Sequence, residues 1–535
     1  MDSQVYFGID LGTTNTVVSK GTILENGYIE TEIMEIEQFD RNKEIIFDYT
    51  LPSVLYVDEN DKEYVGSISK SIKLKYSKKV LANTKRYIGT DENWKLKDKT
   101  YNAKDVAKII LKTCRESMIK HNSDKPVEKV TITVPASFNT DQIKDTKDAA
   151  LEIGFKDVSL IPEPTSALID FINEKLNHLN IKKSARVLIF DLGGGTCDIA
   201  VVDVLLDGKK LEFCEIAIGR YNELGGIDFD NTVSLFKFNE FLDKNNIEYD
   251  TLLQTEKDEM IRSLRIFAER AKESISMDVE KGTYFGQKYK EELKNFYKNK
   301  NYSFSIDKDE YDFIIKEFFE YTKDNKTKLE EEKHKNIISP IINTLNDYDI
   351  DLESIEYLFL TGGMTKYETI REEIRKLLKL TNEQIIRSSD CLSSVSKGAV
   401  IYNYYETTIN SLEDTTTNKK FEFKRVLAEA IMIDVKEGLP VVIIKSNQEV
   451  PYKGTLKGIL KTTSPSGIDI NLYAGIDEFD SKMRIQRKYK AYFKTPKKPK
   501  TLIDIEFSID KDKYLTIYIL VDGEKIELKQ EVDFL

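Results

Sequence analysis

The chain has 535 residues, of which 40% are hydrophobic and 32% charged, and its formal net charge is −12. This length exceeds what one hydrophobic core can organise, so we expect a soluble protein of at least two domains. The negative charge argues against nucleic acid or an anionic membrane surface as a partner.

The start of the chain and its cysteines indicate a cytoplasmic protein. The opening MDSQVYFGID lacks the basic and apolar stretches of a secretory signal. No apolar run approaches the roughly 18 residues that span a bilayer. The four cysteines form no CxxC pair and the three histidines are isolated, so we expect neither disulfides nor a zinc site.

Two similar phrases carry the first chemical signal. In FGIDLGTTNTVV, residues 7–18, an apolar strand ends at Asp10, and in LIFDLGGGTCDIAVVDV, residues 188–204, Asp191 has the same place. Each phrase predicts a strand–turn–strand hairpin whose tip offers backbone N–H groups and hydroxyls to phosphate. The aspartates suit such a site only if a divalent cation lies beside the phosphate, and Mg²⁺ is the usual one. A plain glycine-turn hairpin explains one such phrase equally well, but two of them poorly.

A helix is predicted over IRSLRIFAERAKESIS, residues 261–276. Its apolar residues recur at helical spacing and form one stripe. Glu269, Lys272 and Ser276 form an adjacent stripe with the same spacing. From spacing alone, a solvated face explains this second stripe better than a binding surface does.

The composition divides the chain into three stretches. Residues 1–405 mix β-rich and helical runs, which is an α/β pattern. Residues 406–424 are polar and threonine-rich and are predicted as a linker. Residues 425–535 alternate apolar and polar positions and contain an Asp-Gly turn at 521–525, so we predict a small all-β sandwich.

Several motifs together resemble one superfamily. The two phosphate phrases and LTGGMTKYETIREEI, residues 360–374, are similar to the nucleotide-binding signatures of actin, hexokinase and heat-shock ATPases. More narrowly, TITVPASFNTDQIKDTKDAA (131–150), IPEPTSALIDF (161–171) and ELGGIDFDN (223–231) resemble the 70-kDa heat-shock chaperone family. The resemblance covers nearly all of residues 1–400 and continues into the β-rich segment.

The resemblance implies an α/β two-lobed actin-like ATPase domain followed by a small all-β sandwich domain. It implies binding of ATP or ADP with Mg²⁺ held by Asp10 and Asp191, and it adds K⁺ as a further candidate ion. It further assigns to cofactor binding the following residues of the two phrases and of the stretch 223–231: Thr13, Thr14, Asn15, Gly193, Gly194, Gly195, Gly225 and Gly226.

The resemblance also implies four catalytic residues. Lys85 would reach the γ-phosphate and steady the attacking water, and Thr196 would donate to the γ-phosphate. Glu163 and Asp198 would orient the water and the metal shell. Such a site works by positioning and charge neutralisation, without a covalent nucleophile. Without the resemblance, Lys85 is better explained as a solvated lysine at a helix end.

The resemblance implies that the adenosine is bound by polar residues of the predicted helix, by two glycines and by a lysine that follows these glycines. These residues are Glu269, Lys272, Ser276, Gly362, Gly363 and Lys366.

Some positions depart from the family pattern. Glu273 stands where an arginine usually stacks on adenine, and Met364 where a serine usually follows the double glycine. Ile143 and Ser159 replace arginines that serve interdomain signalling and J-domain partners. The threonine-rich stretch replaces an acidic leucine-rich linker, and the helical lid is expected to be absent. Ile143, the threonine-rich stretch and the absent lid together predict weak coupling between nucleotide and peptide binding.

The sequence thus predicts an ATP-binding, slowly ATP-hydrolysing chaperone-like protein that binds extended or unfolded polypeptide. J-domain and nucleotide-exchange co-chaperones are open partners. A non-hydrolysing nucleotide switch and a sugar-kinase-type phosphotransferase remain alternatives. The candidate floor of a peptide pocket is a set of isoleucines that core packing explains equally well: Ile431, Ile433, Ile459, Ile468 and Ile470.

Overall fold

The structure is a computed structural model that describes residues 5–24, 29–75, 79–175, 184–207, 210–219, 224–321, 336–388, 390, 393–411, 420–434, 439–475, 477–480 and 483–530. The chain divides into two compact units, each defined by the contacts within it. The first contains Met1–Ile189, Asp198–Tyr221 and Ser388–Leu535, and the second contains Phe190–Cys197 and Asn222–Arg387.

The elements follow in chain order. The first stretch contains β1 (Val5–Leu11), β2 (Asn15–Ile23), β3 (Ile29–Ile33), β4 (Ile36–Phe39), β5 (Ile45–Asp48), β6 (Leu51–Pro52), β7 (Val54–Val57), β8 (Glu63–Val65), α1 (Ser67–Lys75), β9 (Val80–Ala82), β10 (Asn93–Leu96), β11 (Lys99–Asn102), α2 (Ala103–His121), β12 (Lys129–Val134), α3 (Thr140–Glu152), β13 (Asp157–Pro162), α4 (Glu163–Lys175) and β14 (Ser184–Leu192). The middle stretch contains β15 (Cys197–Asp207), β16 (Lys210–Ile218), α5 (Gly226–Lys244), α6 (Gln254–Glu280), β17 (Tyr289–Tyr297), β18 (Lys300–Ile306), α7 (Lys308–Ile315), α8 (Ile338–Asp347), β19 (Tyr357–Thr361), α9 (Glu368–Leu378), β20 (Ile385–Arg387) and α10 (Ser394–Ser411). The last stretch contains β21 (Lys420–Val426), β22 (Ala430–Ile433), β23 (Val441–Ile444), β24 (Glu449–Val450), β25 (Tyr452–Lys461), β26 (Gly467–Gly475), β27 (Arg484–Tyr492), β28 (Leu502–Ile509), β29 (Leu515–Val521), β30 (Glu524–Glu527) and β31 (Lys529–Gln530).

A mixed sheet in the order β13-β12-β1-β2-β3 carries the N-terminal part of the first unit. β1 runs antiparallel to β2, with Asp10 opposite Val17, and parallel to β12, with Asp10 opposite Thr133. The first phosphate phrase therefore forms the predicted hairpin. Helix α10 lies so close to β1 that a Cβ on Gly8 would stand 2.5 Å from the Ser396 carbonyl oxygen. Only glycine allows this approach of helix and strand.

Sequence-encoded caps fix the helices that follow. Asn102 and Asn139 each accept a hydrogen bond from the third residue of α2 and α3, and that residue's side chain accepts one in return from the cap's N–H. Such reciprocal caps satisfy backbone donors that a helix start otherwise leaves unpaired. Helix α4 starts directly at the end of β13, so Glu163 is its first residue.

Two antiparallel sheets form the C-terminal part of the first unit, in the orders β23-β22-β26-β27-β31 and β25-β28-β29-β30. Alternate apolar residues of both sheets join one core cluster, which includes Ile431, Ile470, Ile505 and Ile519. The predicted Asp-Gly turn joins β29 to β30, and both turn residues have positive φ, as a tight hairpin turn requires. Burial of the alternating positions explains why the period-2 pattern predicted these strands.

The stretch predicted as a linker has regular structure at both ends. Helix α10 continues to Ser411, and β21 begins at Lys420 and pairs in parallel with β16. Residues 412–419 lie outside the described residues. Phe423 of β21 stacks on Phe213 of β16, with ring centroids 5.3 Å apart. The end of this stretch thus makes an apolar contact with β16 that its polar composition did not indicate. The domain boundaries at 405 and 425 stay a prediction.

The second unit is mainly helical. The predicted helix over 261–276 lies within α6, and the predicted apolar stripe is buried at Leu264, Ala268, Ala271 and Ile275. β19 pairs in parallel with β20. Directly after β19, the chain passes through Gly362 into a 3-10 turn at Gly363–Lys366. These elements place the candidate adenosine residues.

Candidate functional site

Lys85 and Glu163 form a buried ion pair in the first unit. Lys85 lies in a 3-10 turn at Thr84–Tyr87, and its Nζ donates to Oε1 of Glu163 at the start of α4. The side chains of the pair are 9% and 11% exposed. The structure thus brings together two of the four residues that the resemblance assigned to catalysis.

Two aspartates lie within electrostatic range of this pair. Asp10 is partly exposed as a residue, but its carboxyl group is enclosed, and this burial, with the charge of Glu163, raises its pKa to about 7. Asp198 is buried, and burial followed by the charge of Glu163 raises its pKa to about 6. Lys85 acts in the opposite direction on both. Three carboxyl groups thus lie near one ammonium group, and the pKa of two of them is raised.

Hydroxyl groups hold the two aspartates. Ser137 Oγ donates to Oδ1 of Asp198 at 2.7 Å, and Thr133 Oγ1 donates to Oδ1 of Asp10 at 3.3 Å. Sequence reasoning had not assigned either hydroxyl a role. Both hydroxyls lie within the stretch 131–150 that carries the family resemblance. Ser137, as a polar residue inside that motif, was the one feature of the sequence that could have indicated this role.

The first phosphate loop is held by Ser53. Its Oγ donates to the Gly12 carbonyl at 2.7 Å, and its N–H donates to the Thr14 carbonyl at 2.8 Å. Thr13 is buried, Thr14 is exposed, and Asn15 is half-buried at the start of β2. Two hydrogen bonds from Ser53 thus fix the base of this loop, and Thr14 is accessible at its tip.

The second phosphate loop lies in the second unit and packs on the start of α5. Gly226 N–H donates to the Gly193 carbonyl and Ile227 N–H to the Gly194 carbonyl, each at 3.0 Å. A Cβ on Gly225 would lie 2.4 Å from the Gly195 nitrogen. The predicted glycines 193–195 and 225–226 therefore meet, and Thr196 continues the loop as a buried residue.

Gly362 brings the third glycine motif against Asp191. It has a φ of +82°, and a Cβ there would lie 2.4 Å from Asp191 Oδ1. Gly363 faces open space, whereas Met364 packs with its Sδ 3.1 Å from a Cβ position on Gly226. Lys366 is half-exposed. The departure at Met364 thus adds a thioether beside the glycines of the second loop.

On α6, Lys272 is the buried member of the predicted polar stripe. Its Nζ lies 2.8 Å from Oδ1 and 2.9 Å from Oδ2 of Asp230, a residue that sequence reasoning had not singled out. Burial raises the pKa of Asp230 to about 6, although Lys272 opposes this. Glu269 and Glu273 are exposed, and Ser276 is half-buried.

The described residues contain neither a ready metal-ligand cluster nor a membrane-spanning helix. No group of three or more histidine, cysteine, aspartate and glutamate side chains is arranged to hold a metal ion there. Within the same ranges, every helix is too short or too polar to cross a bilayer.

Comparison with known proteins identifies relatives along nearly the whole chain. A family model described as Hsp70 protein matches residues 6–532. The chaperone protein DnaK of Thermosipho africanus is 26% identical over 474 residues, which cover 88% of this chain and 69% of that protein. The mitochondrial-type heat shock protein 70 of Encephalitozoon hellem is 27% identical over 548 residues, which cover 95% of this chain and 80% of that protein.

The family match indicates the fold and the type of chemistry that members of the family share. Hsp70 proteins are ATPases with a two-lobed actin-like fold, and they bind ATP or ADP with Mg²⁺. The family match confirms the resemblance drawn from the sequence: the chain belongs to the Hsp70 protein family.

Proposed function

We propose that this chain binds ATP and hydrolyses it slowly, as a chaperone-type ATPase that acts on extended polypeptide. The observation that carries the proposal is the buried pair of Lys85 and Glu163, set among the carboxyl groups of Asp10 and Asp198. A buried cluster with excess negative charge is costly for folding alone. A bound cation would offset the negative charge of this cluster, and the cluster would in turn help to bind the nucleotide.

In this proposal Lys85 and Thr196 bind the γ-phosphate, and Glu163 and Asp198 orient the attacking water. Oriented charges of this kind stabilise the transition state of phosphoryl transfer without a covalent intermediate. Ser137 fixes the Asp198 carboxylate by its hydrogen bond. Asp10 and Asp191 would hold Mg²⁺, which neutralises phosphate charge when it is bound.

The adenosine is assigned to residues of α6 and of the glycine turn after β19. Lys272, held by Asp230, would face the ribose together with Glu269 and Ser276, and Gly362 and Gly363 would admit the base. Lys366 is half-exposed beside them. Since a thioether packs well against aromatic rings, Met364 would contribute an apolar contact to the base.

Polypeptide binding is assigned to the two C-terminal sheets, on the strength of the family. Four of the candidate floor residues, Ile431, Ile433, Ile468 and Ile470, belong to the shared core, and Ile459 packs against it. Core packing therefore accounts for them. The proposed peptide contacts are instead exposed apolar side chains of these sheets and their loops: Leu439, Phe479, Tyr492 and Leu502.

A cytoplasmic site of action, J-domain partners and nucleotide-exchange partners complete the proposal. Ser159 stands where the family places an arginine for J-domain contact, and its Oγ donates to Glu406 Oε2 at 2.6 Å. We therefore expect stimulation by J-domain proteins to be weaker than in relatives that keep the arginine.

Phosphate release separates the proposal from its alternatives. The purified chain is incubated with Mg-ATP in K⁺ or Na⁺ buffer, with and without a panel of sugars, while ADP, free phosphate and sugar phosphate are followed. We expect ADP and free phosphate in equal amounts without sugar. Sugar phosphate would identify a kinase, and nucleotide binding without turnover a non-hydrolysing switch.

A further inference from the structure

Tyr311 of α7 has a buried hydroxyl group that is not bonded to anything in the described part of the chain. The residue is fully buried, and its Oη has no hydrogen-bond partner among those residues. A buried polar group without a partner costs free energy that a phenylalanine at the same place would not cost. Packing alone therefore does not explain why this residue is a tyrosine.

Asp230 of α5 has an unused acceptor within electrostatic range of this hydroxyl. Lys272 Nζ donates to Asp230 Oδ2 at 2.9 Å, whereas Oδ1, 2.8 Å from the same ammonium, accepts no hydrogen bond within the described ranges. Burial, then the charge of Asp230 and then that of Asp312, raises the pKa of Tyr311 well above its usual value. A phenol donates and a carboxylate oxygen accepts, so the two unpartnered atoms are complementary.

Asp312, the other carboxylate near Tyr311, is already bonded at both oxygens. Tyr367 Oη donates to its Oδ1 at 2.9 Å, and Lys308 Nζ donates to its Oδ2 at 2.8 Å. Of the two carboxylates whose charge acts on Tyr311, Asp230 is therefore the one with an oxygen to spare.

Two contacts hold the Tyr311 side chain in place. Its ring packs on the ring of Tyr367, with centroids 5.2 Å apart. One residue earlier on α7, Glu310 accepts a hydrogen bond from Lys237 of α5, which ties the two helices together. Tyr311 is therefore a donor that is already positioned against the helix that carries Asp230.

Lys272 links this group to the nucleotide. Its ammonium lies 3.4 Å from the Gly226 carbonyl and 3.1 Å from a Cβ position on Gly226, and Met364 Sδ lies 3.1 Å from the same position. The lysine that is proposed to face the ribose thus lies at the glycines of the site, with its charge committed to Asp230. If the ammonium turns to a ribose hydroxyl, Asp230 loses part of a buried ion pair, which is costly unless another donor takes its place.

We propose that Tyr311 is a positioning residue for the nucleotide: its hydroxyl donates to Asp230 Oδ1 when Lys272 turns toward the ribose. The exchange of one donor for another keeps the buried carboxylate bonded in both states, so Lys272 binds the nucleotide at a lower cost. This inference rests on the ribose contact proposed above for Lys272. It adds a residue of α7 to an adenosine site that was predicted on α6 and the glycine turn.

The test compares Tyr311→Phe with the parent and with Tyr302→Phe. Tyr302 is also buried, and its hydroxyl is likewise unpartnered among the described residues. Besides burial, the charges that raise its pKa belong to Glu240 and Glu310, so its variant controls for the loss of such a hydroxyl away from Asp230. We expect Tyr311→Phe to raise the Kd for ATP about three- to thirtyfold in calorimetry, since a hydrogen bond to a charged group is lost only in the bound state. Tyr302→Phe should keep the parental Kd, and neither variant should lower the thermal midpoint of the nucleotide-free protein.

A double-mutant cycle with Lys272→Met separates this role from a structural one. Lys272→Met should itself weaken ATP binding. Adding Tyr311→Phe should then change the Kd by less than about twofold, because Asp230 keeps the same donor with and without nucleotide. A merely structural effect of Tyr311→Phe would be equal in both backgrounds. If Lys272→Met does not fold, Asp230→Asn is added to remove the unpaired charge, and the comparison is made in that background.

A crystal structure with bound ADP reports the exchange directly. We expect Tyr311 Oη at about 2.7 Å from Asp230 Oδ1 there. A Tyr311 hydroxyl that stays unbonded with ADP present would overturn the inference. So would a Kd for Tyr311→Phe within about twofold of the parent, or an equal loss in both backgrounds of the cycle.

Failure of the proposed function gives different results. A parental Kd in Lys272→Met would overturn the ribose contact on which the inference rests, and a parent that binds no ATP would overturn the proposed function. Both results are obtained without any variant of Tyr311.

Discussion

Lys85 and Glu163 form a buried ion pair although 78 residues separate them in the chain. The pair is asymmetric in its surroundings, because two further carboxyl groups lie near Glu163. Removing the lysine leaves a buried carboxylate without its cation, whereas removing the glutamate charge relieves Asp10 and Asp198.

We therefore predict that Lys85→Met destabilises the metal-free protein more than Glu163→Gln does. Breaking a buried pair by removal of one partner costs roughly 3–5 kcal/mol, and the double variant should recover most of this. Urea unfolding of the parent, both single variants and the double variant gives the four free energies of unfolding. Equal costs for the two single variants would contradict this description of the cluster.

Gly362 is predicted to tolerate no side chain. Its φ of +82° and the 2.4 Å approach of a Cβ to Asp191 Oδ1 both oppose alanine. Gly362→Ala should cost on the order of 1–3 kcal/mol in stability and weaken ATP binding. Gly363→Ala is the matched control, since a Cβ there meets nothing within 4 Å. If both variants bind ATP like the parent, this glycine does not shape the site.

Glu273 is predicted to lower the affinity for ATP. It is exposed on α6, one residue after the buried Lys272, and its carboxylate cannot stack on a base as a guanidinium does. Glu273→Arg should improve ATP binding by about 0.5–2 kcal/mol, or sharpen the preference for ATP over GTP. Glu259→Arg makes the same charge change at an exposed position of the same helix and should have no effect. If calorimetry gives Glu273→Arg the same affinities for ATP and GTP as the parent, residue 273 does not contact the base.

Asp170 is predicted to make stability fall as pH rises. It is buried in α4, and Oδ1 has no hydrogen-bond partner in the described part of the chain. Burial, and then the charge of Glu174, raises the pKa of Asp170 to about 8. The folded protein therefore keeps a proton that the unfolded chain releases from about pH 4 upward, and stability declines by about 1.4 kcal/mol per pH unit up to pH 8.

Asp170→Asn removes this titration and tests the prediction. Urea unfolding at pH 6 and pH 8 should show a smaller loss of stability in the variant, which becomes the more stable protein at pH 8. Parallel losses in the two proteins would mean that Asp170 is ionised in the folded state.

The local parts of this fold were predictable from sequence, because their causes are local. Both phosphate phrases have an aspartate at a strand end followed by small residues, and the first forms the hairpin between β1 and β2. The Asp-Gly turn at 522–523 specified its hairpin because both residues tolerate positive φ.

The supporting contacts were not predictable, because they join distant parts of the chain. Leu160 bonds to Arg425 and Asp512 across 265 and 352 residues, and no periodicity connects such positions. Strand β21 was missed for the same reason, since its partner β16 lies far away in sequence. Asp230 was part of a quoted motif, but its role depends on where α6 places Lys272.

The central claim is that Lys85 and Thr196 act on the γ-phosphate, and phosphate release by single variants tests it most directly. The parent, Lys85→Ala, Thr196→Ala and the control Lys120→Ala are compared at saturating Mg-ATP, with folding checked by circular dichroism. Lys120 forms an exposed ion pair with Glu37 at 2.5 Å and should be dispensable. We expect slow turnover in the parent and in Lys120→Ala, and at least about a hundredfold loss in Lys85→Ala and Thr196→Ala with the fold kept. Parental rates in both Lys85→Ala and Thr196→Ala would contradict it.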